Sequence, residues 1–325
     1  MARIYDIPTK YVNITETQFN KLLKQIEEKQ YTAGELEIST DFLYHLLHEE
    51  NNKYIKKLAE ALKSNLHIRK LKLVNQNIIN EGAIALSEVE SLTELDLTHN
   101  SILTAGVISL LNANLICLSV QENDISRGLK PGYINQMREA FVENQTITNL
   151  SLRRTYVDDV TVARIIEGNK SIKILDLGRN TSYFEGLRPI TDNNTLQYLD
   201  LSECELRDVA AEIISQNSSL LTLIVNVSNI TNKGGAFLST HPTLRTLYIK
   251  DSEMTALGLV CFLHSNLRKV VPDNEQKTKI SEFEICEFER AFRYIREEKE
   301  HLLTNSIYEQ AVDLGGHSED VEVTE

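Results

Sequence analysis

The chain is 325 residues long and carries a formal net charge of −13 at neutral pH, with an isoelectric point near 5.2. This acidic balance argues against a nucleic acid or an anionic membrane as the main ligand, because both require a dominant basic face. With 42% hydrophobic and 25% charged residues, the chain has enough apolar material to bury a substantial core.

Targeting and redox features predict a soluble cytoplasmic protein. The first residues lack the apolar h-region of a secretory signal peptide, and no apolar run approaches the ~20 residues that a membrane-spanning helix requires. The cysteines are too far apart in sequence for a zinc or thioredoxin-type motif, and they are few for an extracellular repeat protein. They stand at Cys117, Cys204, Cys261 and Cys286.

The first 65 residues predict two amphipathic helices with a short strand between them. Thr15 and Gln18 have the spacing of a helix-capping box. The apolar residues that follow recur at helical spacing and would form one buried face. They are Phe19, Leu22, Leu23 and Ile26. A degenerate strand phrase at 36–38 precedes the second helix.

One phrase then recurs nine times between residues 66 and 272: an apolar residue, two residues, an apolar residue, one residue, an apolar residue. The copies begin 23 to 25 residues apart, except for one interval of 32. Such a near-constant period indicates a solenoid of repeated units. The middle apolar residues are Leu71, Leu95, Leu118, Leu150, Leu175, Leu199, Leu223, Leu247 and Val270.

A small polar residue follows most copies at a fixed distance, as at Asn100, Asn123, Thr155 and Cys204. The pattern resembles the leucine-rich repeat and is similar to the ribonuclease-inhibitor type, although most units are a few residues shorter than is usual for that type. The resemblance implies an α/β solenoid, with a curved parallel sheet on the concave face and helices on the convex face. It also implies that the small polar residues hydrogen-bond backbone groups in the turn after each strand. Gln76 departs from the pattern in the first copy.

A second polar column stands three residues before each phrase. Its members are Asn65, Asn112, Asn144, Asn169, Asn193, Asn217, His241 and His264, and only Val89 breaks the series. Asparagine tolerates the left-handed backbone conformation that often ends a helix. We therefore expect these residues to be left-handed helix ends.

Both ends of a solenoid require a cover, because an open end exposes core residues to water. We therefore assign residues 1–65 to an N-terminal cap, 66–272 to an array of about nine strands, and 273–312 to C-terminal capping helices. The C-terminal stripe consists of Ile285, Phe288, Phe292 and Ile295. This stripe is alternatively a partner-binding helix. Residues 313–325 are acidic and poor in apolar residues, which predicts a disordered tail.

No catalytic, cofactor or metal motif stands out. The chain has no P-loop, Rossmann glycine pattern, Gly-x-Ser-x-Gly elbow or Cys-His signature. The best metal candidate is the pair His45 and His48, but the pair lacks a third ligand and matches no zinc motif. We therefore expect no catalytic residues, no bound metal and no cofactor.

The residues between the paired apolar positions of each strand would face solvent, because side chains alternate along a strand. Toward the C-terminal repeats these residues become apolar or aromatic, as interface hot spots do. Arginines that could clamp carboxylates lie in neighbouring positions. The predicted partner-binding residues are Tyr198, Ile224, Val227, Tyr248, Arg153, Arg154 and Arg179. The alternative is that the apolar residues pack on each other and the arginines neutralise Asp176 and Asp200.

These features predict a monomeric, non-catalytic module that binds a protein partner and neither nucleic acid nor membrane. The compact repeats and the acidic tail resemble effectors that intracellular bacteria deliver by type IV secretion. That resemblance implies virulence and action in a host cytosol. The alternative is a GTPase-activating protein similar to the Ran activator, in which Arg153 or Arg154 would contact nucleotide phosphates.

Overall fold

The computed structural model describes residues 15–38, 43, 48–126, 131–180 and 185–272. These residues fall into two compact units. The first unit comprises Met1–Tyr156 and Asn169–Ile172, and the second comprises Val157–Gly168 and Lys173–Glu325, each within the described ranges. The predicted C-terminal caps and acidic tail lie outside the described residues, as does His45.

The first unit alternates five strands with five helices in its described part. The strands are β1 (Glu35–Glu37), β2 (Lys70–Lys72), β3 (Glu94–Asp96), β4 (Cys117–Ser119) and β5 (Asn149–Ser151). The helices are α1 (Glu16–Glu27), α2 (His48–Lys63), α3 (Asn80–Ser87), α4 (Thr104–Leu111) and α5 (Pro131–Glu143). The capping box is present, since the Gln18 N–H donates to Thr15 Oγ1 and the Thr15 N–H donates to Gln18 Oε1. The long helix α5 lies within the enlarged repeat that spans the interval of 32 residues.

The second unit repeats the same alternation with shorter helical pieces. Its strands are β6 (Ile174–Asp176), β7 (Tyr198–Asp200), β8 (Thr222–Ile224), β9 (Thr246–Ile249) and β10 (Lys269–Pro272). Its α-helices are α6 (Asp159–Gly168), α7 (Asp208–Ser215), α8 (Asn232–Ser239) and α9 (Ala256–Leu259). Single 3-10 turns occupy Arg188–Asp192 and Val260–His264. Pro189 stands at the start of the first of these turns, where its missing N–H costs no hydrogen bond.

Within each unit, neighbouring strands pair in parallel and in chain order. In the second unit Leu175 lies opposite Leu199, Leu199 opposite Leu223, and Leu223 opposite Leu247. In the first unit Leu36, in β1, lies opposite Leu71. The middle residues of the predicted phrase are therefore in register, and all nine are buried. The predicted α/β leucine-rich-repeat solenoid is confirmed, whereas the division into caps and array stays a prediction.

The side chains of the small polar column after the strands form hydrogen bonds with backbone groups of the turns, as the resemblance implied. Asn123 Nδ2 donates to the carbonyls of Leu97, Val120 and Gln121, and its Oδ1 accepts the Ile102 N–H. Gln76 reaches the carbonyls of Val74 and Asn75 with its own amide. These bonds satisfy backbone groups that would otherwise be buried without partners, at a cost of about 1–3 kcal/mol each.

The expected backbone conformation of the second polar column is wrong. Asn112 and Asn193 have φ values of −88° and −75°, which lie outside the left-handed region. The column works through its side chains instead. Asn217 Oδ1 accepts the N–H groups of Ser219 and Leu220, and its Nδ2 donates to the carbonyls of Ile190 and Asn193 in the preceding repeat. Asparagine is favoured here because a short amide can satisfy both groups at once.

The described part of the chain contains no helix that is both long enough and apolar enough to cross a membrane.

Candidate functional site

The strands of the second unit expose one set of side chains and bury the other. Leu199, Leu223 and Leu247 are fully buried, whereas Ile224 and Tyr248, one residue further along, are partly exposed. This alternation follows from the two-residue period of a strand. The apolar residues between the paired core positions therefore lie on the surface, where the sequence placed them.

Three predicted site residues lie close together on this surface. Ile224 lies directly opposite Tyr248, and Tyr248 lies opposite Val271. Tyr198 does not lie opposite Ile224, because its partners in the register are Ile174 and Thr222. It stands one column away, at the diagonal distance that an aromatic side chain can bridge.

The Tyr198 phenol lies in a partly buried, acidic environment. Burial raises the pKa of Tyr198 above its ordinary value, and the charges of Asp200, Asp176 and Tyr248 raise it further. Lys269 Nζ lies 5.9 Å from the centroid of the Tyr248 ring. This distance permits a weak cation–π contact. The aromatic side chains are thus half-buried and polar at one end, as is typical of interface anchors.

Val227 has an unusual backbone for a surface valine. Its φ is 55° and the residue is 50% exposed. A β-branched residue in the left-handed region is a genuine outlier, and such strain costs on the order of 1–3 kcal/mol. The Val227 N–H donates to the Lys250 carbonyl at 2.7 Å, which holds the backbone in this conformation.

Val227 belongs to a column of left-handed residues that the repeat pattern does not predict. In most repeats, one residue shortly after the end of the strand has a left-handed backbone conformation. The members are Asn75, His99, Glu122, Arg154, Arg179, Glu203, Val227 and Asp251. Their side chains extend from the strand ends, and Val227 is the apolar member. The signal available in the sequence was the fixed position directly before the small polar column.

The three predicted arginines lie in this turn region, two of them in the first unit and one in the second. Arg179 belongs to the second unit, where its Nε lies 2.7 Å from Glu203 Oε2. Arg153 and Arg154 belong to the first unit, where Arg154 Nη1 lies 3.5 Å from Glu122 Oε2. Both exposed arginines therefore already contact a carboxylate of a neighbouring turn. Arg153 is only partly exposed.

Two further apolar residues widen the surface of the second unit. Ile174, which lies opposite Tyr198, is 37% exposed, and Leu221, directly before β8, is 41% exposed. Neither residue lies in the column between the paired core positions, which is the column that alternation predicts to be exposed. We define the apolar strand surface as Ile174, Tyr198, Leu221, Ile224, Val227 and Tyr248.

The corresponding surface of the first unit is charged and internally paired. Lys72 Nζ lies 3.2 Å from Glu35 Oε1 and 3.6 Å from Glu37 Oε2, and Lys70 lies 3.5 Å from both Glu35 and Glu94. Burial alone would raise the pKa of Glu35, but the two ammonium groups hold it below its ordinary value. The charges of this network are therefore paired with one another. The apolar strand surface, in contrast, exposes uncharged side chains.

The first unit also holds an open cavity of about 330 Å³ at its turns. His99 Nδ1 lies 2.8 Å from Glu122 Oε2, and Arg154 lies near the same carboxylate. The remaining lining residues are Asn100, Ser101, Leu103, Asp124 and Tyr156. Within the described ranges, no three His, Cys, Asp or Glu side chains are grouped so as to hold a metal ion.

Comparisons with known proteins agree with the fold. A family model described as Leucine Rich repeat matches residues 90–111 and 192–215. No curated protein matches the chain.

Among solved structures, the chain is similar to the C-terminal domain of tropomodulin from Caenorhabditis elegans, with 19% identity over 47% of this chain and 91% of that chain, and a TM-score of 0.37. It is similar to actin-binding site 2 of leiomodin-1, with 16% identity over 48% and 77% of the two chains and a TM-score of 0.31. It is also similar to an internalin from Listeria monocytogenes, with 14% identity over 78% and 73% and a TM-score of 0.45. Likeness at this level supports no conclusion about the function of this chain.

Proposed function

We propose that this leucine-rich-repeat protein is a non-catalytic interaction module that binds a protein partner on the apolar strand surface of its second unit. The observation that carries the proposal is the contrast between the two strand faces. The first unit pairs its surface charges internally, whereas the second exposes isoleucine, valine and two tyrosines in adjacent columns. Exposed apolar surface of this kind marks interaction sites in soluble proteins.

The residues of this surface have distinct roles in the proposed interface. Tyr198 and Tyr248 supply large, rigid contact areas with a hydroxyl at the rim, and Ile224 fills the space beside Tyr248. Val227 projects from a strained turn, so its side chain is held in place before binding. Arg179, already paired with Glu203, would form part of the polar rim.

Several features support a role without catalysis. Burial raises the pKa of Cys261 to about 12 and also raises that of Cys117, with Glu94 adding to the shift at Cys117. Such thiols stay protonated near neutral pH, and a protonated thiol is a poor nucleophile. Cys117, Cys204 and Cys261 form no disulfide among the described residues, which fits action in a reducing cytosol.

The proposal is tested by capture of partners from a cell lysate with matched variants. Ile224→Asp places a charge in the centre of the apolar strand surface. Val209→Asp makes the same change at a residue of α7 that is 51% exposed and lies outside that surface. Proteins captured by the wild type and by Val209→Asp should be lost with Ile224→Asp. Capture that is equal with both variants would contradict the proposal.

We further propose that the module is a monomeric effector, delivered by type IV secretion from an intracellular bacterium and active in the host cytosol. The support is the acidic composition of residues 313–325, which resembles short translocation signals. Replacing Glu319, Asp320, Glu322 and Glu325 by their amides should abolish delivery while leaving thermal stability unchanged. Delivery at the wild-type level would reject this role.

A GTPase-activating role would need an arginine available to nucleotide phosphates. Arg154 already contacts Glu122, so that role has less support than partner binding. A single-turnover GTP hydrolysis assay with candidate GTPases separates the two functions. Acceleration that disappears in Arg153→Ala or Arg154→Ala would replace the interaction proposal with an enzyme-regulator function.

A further inference from the structure

The cavity at the turns of the first unit, which we call the turn cavity, is formed by residues of three successive repeats. Its volume of about 330 Å³ lies at the lower end of the range for small-molecule sites, which is about 300–1,000 Å³. All eight lining residues belong to the described part of the first unit. A cavity of this size has room for one small, ring-shaped ligand.

The walls of the turn cavity are fixed by the backbone of the turns. Four of its residues have left-handed backbones, namely His99, Glu122, Arg154 and Tyr156. The His99 N–H donates to the Gln121 carbonyl at 2.8 Å, and the Glu122 N–H donates to the Arg153 carbonyl at 2.9 Å. The side chains therefore leave backbone positions that are set before a ligand arrives, which limits the entropy lost on binding.

Glu122 pairs with a side chain from each neighbouring turn. Its Oε2 lies 2.8 Å from His99 Nδ1 and 3.5 Å from Arg154 Nη1. Because a carboxylate only accepts hydrogen bonds, Nδ1 is the donor, and Nε2 of the neutral imidazole ring is left as an acceptor. One carboxylate thus restrains both the imidazole and the guanidinium.

Three other polar groups of the turn cavity have hydrogen-bonding capacity that the protein does not use. Within the described ranges, neither the Asp124 carboxylate nor the Ser101 hydroxyl has a hydrogen-bond or ion-pair partner. Both residues are only partly exposed. The Arg154 guanidinium, 3.5 Å from Glu122, donates no hydrogen bond to a described residue. An acceptor, a donor and a hydroxyl that does both therefore line one cavity.

The charges of the turn cavity select against an ionic ligand. An anion attracted by Arg154 would also meet Asp124 and Glu122, and a cation attracted by Asp124 would also meet Arg154. Like charges brought together in this way are costly. A neutral ligand avoids both penalties if its adjacent atoms can donate and accept. Vicinal hydroxyl groups meet this requirement, because each hydroxyl supplies one donor and two acceptor lone pairs.

Two residues add apolar surface to the turn cavity. Tyr156 is 51% exposed, and Leu103 is partly exposed. A pyranose ring carries C–H groups on its faces, and such a face packs favourably against an aromatic ring. A sugar ring therefore matches both the polar and the apolar groups that line the cavity.

We infer that the turn cavity binds one neutral pyranose unit, whose vicinal hydroxyls donate to Asp124 and accept from Arg154 and Ser101. Tyr156 contacts an apolar face of the ring. The ring is either a free monosaccharide or the end of a glycan, since both present the same hydroxyls. This site goes beyond the proposed function, because it lies in the first unit and takes a small ligand rather than a protein surface.

The test is a titration of the full-length protein with three sugars, monitored by saturation-transfer NMR: methyl α-D-mannopyranoside, methyl β-D-glucopyranoside and methyl β-D-galactopyranoside. Tetrahydropyran-2-methanol is the reference, because it keeps the ring but lacks vicinal hydroxyls. At least one glycoside should bind with a Kd on the order of 1 mM, as expected for a ligand of this size, and the reference at least tenfold more weakly. Equal affinity for that glycoside and its free sugar indicates a glycan end, whereas tighter binding of the free sugar indicates a monosaccharide; both results support the inference.

Variants locate the bound sugar. Asp124→Ala should raise the Kd about tenfold, because it removes a charged acceptor, and Ser101→Ala should raise it about fivefold. Glu90→Ala is the matched control and should leave the Kd unchanged, since Glu90 is an exposed carboxylate of the first unit outside the cavity. Thermal unfolding checks that each variant is folded. If Asp124→Ala does not fold, Ser101→Ala decides, because it removes a single partly exposed oxygen.

Any one of four outcomes overturns the inference. They are the absence of binding by all three glycosides, equal binding of the reference, tighter binding of inorganic phosphate or free lysine than of every glycoside, and equal Kd values for the cavity variants and Glu90→Ala. Ile224→Asp, in the second unit, should not alter glycoside binding. Loss of partner capture and loss of sugar binding are therefore distinguishable.

Discussion

Individual residues show where the repeat pattern is under strain. Val227 keeps a left-handed backbone in a position that His99, Glu122 and Arg154 occupy in other repeats. His241 replaces the asparagine of the second polar column and leaves its buried Nε2 without a hydrogen-bond partner among the described residues. Each departure lowers the free energy of unfolding, and a single substitution can remove the effect.

Val227→Asn should stabilise the protein while weakening the proposed interface. Asparagine tolerates the left-handed region, so relief of the strain should raise the free energy of unfolding by about 1 kcal/mol. Urea unfolding measures the change, with Val209→Asn as the control at a helical residue of similar exposure. A loss of stability at Val227 equal to that at Val209 would mean that the left-handed backbone carries no strain.

His241→Asn should flatten the dependence of stability on pH. The Thr243 and Leu244 N–H groups donate to Nδ1, so Nε2 carries the proton of the neutral ring. Burial lowers the pKa of His241 from 6.5 to about 4. Because the folded-state pKa is depressed, the stabilising contribution is complete above the unfolded value and is lost as the pH falls from 6.5 through about 4.

The wild type should therefore lose on the order of 3 kcal/mol more than His241→Asn between neutral pH and about pH 4. Asparagine could also donate to the preceding repeat, as Asn217 does. His67→Asn makes the same substitution at an exposed histidine and serves as the control. Parallel profiles for the wild type and His241→Asn would show that His241 is not the titrating group.

At the level of strands and helices, the sequence predicts those features of the fold that follow from its periodicity. The middle leucines, the pairing register and the polar column after the strands follow from a repeat near 24 residues and from side-chain alternation. Periodicity does not report backbone conformation. The left-handed column was therefore missed, and left-handed backbone was assigned to asparagines such as Asn193, which act through their side chains instead.

The candidate site was predictable only in part for the same reason. Ile224 and Tyr248 follow from alternation within the phrase, and their direct pairing follows from the register. Ile174 and Leu221 could not be found that way, because their exposure depends on how each strand begins rather than on the repeat. The contacts of Arg154 and Arg179 with glutamates of adjacent turns required three-dimensional distances.

Asn217→Ala should destabilise the protein strongly, because the side chain bridges two repeats. Its amide donates two hydrogen bonds and accepts two, and the residue is fully buried. Loss of these bonds leaves backbone groups without partners and should cost about 2–4 kcal/mol in the free energy of unfolding. Asn112→Ala is the control, since Asn112 occupies the same repeat position but is exposed. Equal effects at both positions would contradict the bridging role.

At the scale of the whole molecule, the two units share a repeat but differ in what their strands present. The strands of the first unit carry a network of paired lysines and glutamates. Those of the second carry the apolar strand surface, with Lys269 Nζ 5.9 Å from the centroid of the Tyr248 ring. The same repeat architecture therefore carries a surface with internally paired charges in one unit and a surface suited to a partner in the other.

The most direct test is the affinity of the captured partner, once purified, for two tyrosine variants. Tyr248→Ala removes an aromatic side chain from the apolar strand surface, and Tyr133→Ala removes one that is 49% exposed on α5 of the first unit. We predict that Tyr248→Ala raises Kd by about 30-fold or more, as truncation of an interface hot spot does, and that Tyr133→Ala leaves Kd unchanged. Equal values of Kd for both variants and the wild type would contradict the assignment of partner binding to the second unit.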